Sequence, residues 1–431
     1  MDCAGQKMTN GSYQHIKTAY LTLPILIMLA TQKTIRFVVL LCFLLAWLMP
    51  VAQPVDKQPP AKHITYVPFT LLTGGVIIVR ALLDNYPDTL NFVLDTGSGG
   101  ISLDSATCDE LKVRKEKSNI LIKGIAGIRA VEYAYNHSLK LPGIVTENLD
   151  FHINDYDILT SVYGIKIDGI IGYSFLHRYL VTINYEKQKL DIWSNGTFRY
   201  PSGGYTLHPR FSTLPVQQIS LKEKKQTINS NFFFDTGAGL CFLMSDNFVN
   251  DSSVFDSSKK LYPTLAQGLG GKANMQVTTI RQVKIGPYRF RDVPTYVFND
   301  PYNATSYPQV SGLIGNDLMR RFTVTLNYAR SEIFIKPNTF FRDSFDYSYT
   351  GLGMYLVDRK ITVLDIMKGS PAEKAGLEIG DVIIAVNRNF SANIQTYKTM
   401  LQAENTLQTL IIDREKVGLL TFLLRVKSIH K

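Results

Sequence analysis

Phe92-Val93-Leu94-Asp95-Thr96-Gly97-Ser98-Gly99 and Phe233-Phe234-Asp235-Thr236-Gly237-Ala238-Gly239-Leu240 place an acid in the same setting twice, 140 residues apart. In each copy an apolar run of strand character ends in a glycine-rich turn, so the acid sits where a buried strand opens into a tight loop. The copies continue outward. Asp168-Gly169-Ile170-Ile171-Gly172 is answered 143 residues later by Ser311-Gly312-Leu313-Ile314-Gly315. An alternating strand follows each, Leu180-Val181-Thr182-Ile183-Asn184-Tyr185 and Phe322-Thr323-Val324-Thr325-Leu326-Asn327-Tyr328. Between acid and Ile-Gly, Gly124-Ile125-Ala126-Gly127 corresponds to Gly268-Leu269-Gly270-Gly271. A fixed order at a nearly fixed offset is an internal duplication, and a unit of this length means two lobes, not a solenoid.

One chemistry needs such a pair. Carboxylates about 3 Å apart cannot both ionise readily, so one keeps a proton while the other acts as base on a shared water. The titration then belongs to the pair, and acid and base roles are not divided between Asp95 and Asp235. A doubled Asp-Thr-Gly-Ser/Ala with a downstream apolar-apolar-Gly resembles the aspartic proteases of the retropepsin and pepsin type, over roughly residues 64–337. The resemblance implies mostly β structure: two duplicated barrel-like lobes, a six-stranded interface, and an active site in the cleft between them. It implies that Thr96 and Thr236 hydrogen-bond across the lobes. Gly97 and Gly237 leave room beside each carboxylate, and Ser98 is placed to donate to Asp95 where Ala238 cannot do so for Asp235. Gly124, Gly127, Gly268 and Gly271 mark candidate flaps over a substrate; the pepsin-type flap tyrosine has no clear counterpart. Val181, Ile183, Val324 and Leu326 are core by alternation, and Arg178, Arg320 and Arg321 read as solvated charges at strand edges.

Other chemistries lack support. Gly97-Ser98-Gly99-Gly100 superficially matches the nucleophile loop of trypsin-like serine proteases, but that loop needs a residue between the first glycine and the serine. No His-Glu-x-x-His, Cys-x-x-Cys or phosphate-binding glycine loop occurs, so neither metal nor cofactor is expected. The chain has 431 residues, 45% of them apolar and 19% charged, enough for three cores. Its formal charge of +10 is not gathered into basic runs with interleaved aromatics, which gives no case for nucleic acid.

A second argument begins near residue 350. Gly369-Ser370-Pro371-Ala372-Glu373-Lys374-Ala375-Gly376-Leu377-Glu378-Ile379-Gly380-Asp381-Val382-Ile383-Ile384-Ala385-Val386-Asn387 resembles a PDZ domain of bacterial type. It reads as a helix opened by Pro371 and closed by Gly376, then a strand over residues 382–386. The resemblance places a carboxylate-binding loop at Gly351, Leu352, Gly353 and Met354, before a strand at residues 355–357. A helix around residues 394–401 would line the groove. Protein C-termini or internal peptides are the implied partners, added as a strand.

Lys33-Thr34-Ile35-Arg36 precedes thirteen almost wholly apolar residues, 37–49, and then Pro50-Val51-Ala52. Basic, apolar, small: this reads as a secretory signal cleaved after Ala52, with export to the periplasm or medium. A retained membrane anchor is the alternative, helped by the apolar stretch 19–30. Cys108 and Cys241 lie thirteen and six residues after their acids, so they are not repeat equivalents, and a bridge between them is left open. The expected organisation is signal 1–52, linker 53–63, lobe one 64–198, lobe two 199–337, connector 338–349 and PDZ domain 350–431. The expected activity is hydrolysis of polypeptides by water activated between Asp95 and Asp235. The alternative is a catalytically silent peptide-binding protein using cleft and groove.

Overall fold

The computed structural model describes residues 59–124, 127–211, 213–224, 226–268 and 271–430. The signal, most of the short linker after it, and the glycine-loop residues Ile125, Ala126, Leu269 and Gly270 lie outside the described residues. The rest is mostly β, in the three parts that duplication and PDZ resemblance lead one to expect.

Lobe one is one sheet folded round on itself. Its strands run Ile77–Leu83, Thr89–Leu94, Gly169–Ile171, Ile101–Asp104, Ile144–Asn154, Gly127–Leu141 and Glu116–Gly124, and Leu82 and Leu83 pair back to Lys140 and Leu139 to close the barrel. Lobe two repeats the order with Pro215–Glu223, Gln226–Phe234, Gly312–Ile314, Phe242–Ser245, Tyr288–Phe298, Gly271–Ile285 and Tyr262–Gly268. It closes through Ser220–Lys222 against Gln282–Lys284. Closure leaves few free edges, which is how a small mixed sheet buries both its hydrogen bonds and one apolar face.

Six strands join the lobes, in the order Tyr205–Leu207, Glu332–Pro337, Phe322–Asn327, Tyr179–Asn184, Lys189–Ser194 and His63–Leu71. The central pair is the repeated motif meeting its own copy. Val324 faces Ile183, Thr325 faces Thr182 and Leu326 faces Val181, antiparallel. Thr182 and Thr325, equivalent positions of the repeat, share a hydrogen bond of 3.0 Å between their hydroxyls. The pseudo-twofold axis therefore passes between them. Val181, Ile183, Val324 and Leu326 are fully buried, and one hydrophobic core runs through both lobes.

The C-terminal part has its own core around Val363, Val386, Tyr397, Leu410 and Leu424. Ser370 caps the helix Pro371–Ala375, accepting from the Glu373 amide at 3.2 Å, and Gly376 ends it at φ 87°, a conformation a side chain would oppose. The strand Val382–Val386 follows, and Ile394–Met400 forms the second helix. One boundary differs from expectation. The first strand begins at Leu352, three residues early, and Gly353 and Met354 already pair across to Asp365 and Val363. The carboxylate-loop positions are thus strand residues apart from Gly351, and the Leu352 amide donates to Thr350 Oγ1 at 3.2 Å.

Arg321 corrects a second expectation. It is 1% exposed, and its guanidinium donates to the carbonyls of Phe340, Asp343 and Ser344 while stacking 3.9 Å over the Phe345 ring. The connector folds back on lobe two, and its turn carbonyls need donors that only a planar fork supplies together. Arg320 is half-buried and donates to Asp317 at 2.6 Å.

Candidate active site

Each acid loop is held by the strand that the Ile-Gly motif supplies. Gly169–Ile171 lies between the two strands flanking the first loop, parallel to Thr89–Leu94 and antiparallel to Ile101–Asp104. The Asp95 amide donates to Ile171 O at 2.9 Å, and the Asp235 amide donates to Ile314 O at 3.0 Å. A Cβ on Gly172 would come within 2.5 Å of Gly100 O, and one on Gly315 within 2.1 Å of Leu240 O. The final glycine of each motif is therefore required by the loop folded over it. Asp168, which begins the first motif, is buried and structural: it accepts from the Asn91 amide and the Thr107 hydroxyl, both at 2.8 Å.

The loops meet across the pseudo-twofold axis. The Thr96 hydroxyl accepts from the Thr236 amide at 3.0 Å and donates to Phe234 O at 2.5 Å. The Thr236 hydroxyl accepts from the Thr96 amide at 3.0 Å and donates to Leu94 O at 2.9 Å. Both side chains are fully buried. Four reciprocal bonds inside a dry interface fix one loop against the other.

That lock sets the carboxyls together. Asp95 and Asp235 hydrogen-bond one another, and each lies directly over the other loop's glycine. Asp95 Oδ1 accepts from the Gly97 amide at 2.7 Å; Asp235 Oδ1 accepts from the amides of Gly237 at 2.9 Å and Ala238 at 3.1 Å. Burial pushes both carboxyls above the ordinary range, and for Asp95 repulsion by Asp235 adds to it. The backbone amides oppose the rise without cancelling it. The pair shares a proton under conditions where free carboxylates have lost theirs. The Ser98 hydroxyl makes no hydrogen bond to Asp95. The loops differ in the backbone, where the Ala238 amide donates to Asp235 Oδ1 while the Ser98 amide donates to the Asp95 carbonyl at 3.4 Å.

The acids open into a cleft of about 1500 Å³. Two hairpins stand along it, and the glycine pairs close their tips: Gly124 pairs with Gly127, and Gly268 with Gly271. His152 lines the floor beside Gly100, its pKa pushed down to about 4 by burial and then by Arg129, so it is neutral at ordinary pH. Tyr163 lines the cleft from the end of the helix Asp157–Tyr163. Burial, with the two acids adding, pushes its phenol up to about 12. Nothing in the sequence around Tyr163 marked it, because it reaches the acids through the fold.

The PDZ domain supplies part of the same cleft, through Leu352, Gly353, Met354, Tyr355 and Gln395. Among the described residues the cysteines Cys108 and Cys241 are free and buried, one in each lobe. The Cys241 thiol donates to Asp317 Oδ2 at 2.8 Å, and burial pushes the Cys108 thiol up to about 12.

An aspartyl protease family model matches two segments, residues 79–175 and 219–318, and a PDZ domain model matches residues 362–414. No curated protein matches the chain. Each protease segment holds one Asp-Thr-Gly loop, its hairpin and its Ile-Gly strand. The chain is a two-lobed aspartyl protease domain followed by a C-terminal PDZ domain.

Proposed function

We propose that the chain is an aspartic endopeptidase that hydrolyses polypeptides without a covalent intermediate. The observation that carries the reading is the buried pair Asp95–Asp235, held in mutual contact at the floor of an open cleft. A site built only to bind has no use for two carboxyls that repel each other. One carboxylate takes a proton from water bound between them as that water attacks the substrate carbonyl; the protonated partner donates to the carbonyl oxygen. As the C–N bond breaks, the proton taken from water passes to the leaving amine while the other carboxylate takes a proton from a hydroxyl of the tetrahedral gem-diol, which becomes the product carboxyl, and the pair returns to its singly protonated state. The hairpins ending at Gly124–Gly127 and Gly268–Gly271 act as flaps that exclude solvent over an extended substrate, and Tyr163 borders the bound chain. The basic, apolar and small-residue run ending at Ala52 supports export, which the intact mass of the mature protein tests.

The direct test is cleavage of a peptide library by the full chain from pH 3 to 8, with and without pepstatin. Cleavage that pepstatin abolishes, and that both Asp95→Asn and Asp235→Asn lack, is the expected result. Substantial turnover by either variant would refute the shared-water mechanism.

A further inference from the structure

A PDZ domain takes a ligand as an added strand along a free sheet edge, beside a helix. Leu352–Val357 is an outermost strand of the five-stranded sheet and pairs in the sheet with Lys360–Ile366. The helix is Ile394–Met400. Lobe one already stands between them. Its helix Asp157–Tyr163 packs on the strand, and Gly164, the left-handed residue ending that helix at φ 73°, is wedged against both groove walls. A Cβ on Gly164 would lie 2.4 Å from Ile394 Cγ2 and 4.0 Å from Leu356 Cδ2.

The contact is polar as well as close. The last carbonyls of a helix have no partner within it. Val162 O accepts from Lys398 Nζ at 2.6 Å, and Tyr163 O accepts from Gln395 Nε2 at 2.9 Å. Gln395 Oε1 in turn accepts from the Thr73 amide at 2.9 Å, in the turn against the second acid loop. An ammonium at a helix C-terminus complements the dipole. Burial lowers Lys398 to about 8, which leaves it mostly charged at neutral pH. The PDZ domain also holds the second flap. Lys272 pairs with Asp365 at 2.9 Å, 5.0 Å over the Tyr355 ring, and at the end of the connector Tyr349 Oη adds a bond to Pro263 O at 2.8 Å. The first flap reaches lobe two instead, through Lys123 Nζ to Asn303 O at 3.2 Å.

We propose that the PDZ groove is a peptide site closed from within by lobe one. An extended peptide with a free carboxylate, entering along the Leu352–Val357 edge, displaces the segment 157–164 and loosens the domain's hold on the second flap. Two occupants of one groove exclude each other. The peptide's apparent affinity is therefore reduced by the fraction of molecules in which lobe one has left, and peptide binding must in return favour that open state. The effect on catalysis rests on the protease reading; the occupancy of the groove does not.

Gly164→Ala tests this from the lobe side and leaves the groove's own residues unchanged. The probe is a fluorescein-labelled decapeptide pool with a free carboxyl terminus, followed by anisotropy on the full chain, alongside the same pool amidated. The expected result is a gain of about tenfold or more in apparent affinity for the free-carboxyl pool, the scale of one or two lost contacts. Amide hydrogen exchange of residues 352–357 should rise with it. Thr73→Val, which removes the Thr73 hydroxyl's hydrogen bond to Gln395 Oε1 (2.5 Å) and keeps the backbone unstrained, should give a smaller gain in the same direction if Gly164→Ala fails to fold. Unchanged affinity and exchange in the folded variants, or no binding by any of them, would overturn the proposal. An equal gain with the amidated pool would overturn the carboxylate requirement. Tighter binding without cleavage in any variant would leave the groove inference standing and remove the protease reading.

Discussion

Gly237→Ala should disable the proposed peptidase activity without unfolding the chain. The added carbon would lie 2.4 Å from Asp95 Cγ and 2.6 and 2.7 Å from its two oxygens. Carbon atoms in contact prefer about 3.5–4.0 Å, so an overlap of roughly 1 Å must be relieved. Asp95 can rotate only by giving up the Gly97 amide at 2.7 Å. The second loop can retreat only by breaking bonds made by Thr236. Either way one carboxyl moves by about 1 Å relative to the other, and a misplacement of that size costs about 10²-fold in rate, or about 2.7 kcal/mol. The loss should fall on kcat, because the cleft walls are untouched. Separating the carboxyls also weakens their repulsion, so the alkaline limb of the pH–rate profile should move to lower pH. Gly97→Ala, whose Cβ would lie 2.5 Å from Asp235 Cγ, should behave alike. Steady-state kinetics on a cleaved peptide, beside a thermal melt, provide the assay. A folded variant with kcat within about threefold of the parent would refute the claim that the carboxyls are held in a fixed contact.

Two further outcomes follow from the same geometry. Thr96→Val leaves the Thr236 amide and Phe234 carbonyl buried without partners, and should cost roughly 2–5 kcal/mol by urea unfolding, with Thr96→Ser recovering most of it. Asp235→Asn should flatten the decline of thermal stability with pH. Because the folded carboxyls have raised pKa values, their stabilising protonation is full below the ordinary carboxylate value and lost as pH rises through the raised one. Removing one acid relieves both its burial as a charge and its repulsion of Asp95, and parallel melting curves for parent and variant from pH 4 to 8 would contradict this.

The protease lobes were legible because their signals are local and doubled. Strand alternation, a loop acid and an obligatory glycine recur at one offset; the six-stranded interface was implied by the family resemblance, and its central pair is the repeat strand meeting its copy. The PDZ helix was legible for the same kind of reason, since Pro371 and Gly376 mark its ends. Docking was not. Gln395 meets Thr73 and Lys398 meets Val162 across more than 200 residues, and each side chain resembles any polar residue on a helix surface. Arg321 misled in a related way. A charge at a strand edge reads as solvated until the connector beyond the next strand folds back and brings its carbonyls over it. The Ser98 expectation failed on local geometry, because the hydroxyl's neighbours depend on loop dihedrals that residue identity does not fix.

The hydrogen bond between Thr182 and Thr325 has a consequence for dilution. A strand that pairs in register with its own copy could join two separate half-chains, and such an assembly would fall apart at low concentration, with rate rising as the square of protein added. Here both copies lie on one chain, so the acids meet at any concentration and the rate should remain first order in protein. Covalent fusion also ends the requirement that the halves be alike. One hairpin can then be tied to the PDZ domain while the other is left to reach across to the opposite lobe, a division of labour that two identical subunits could not encode.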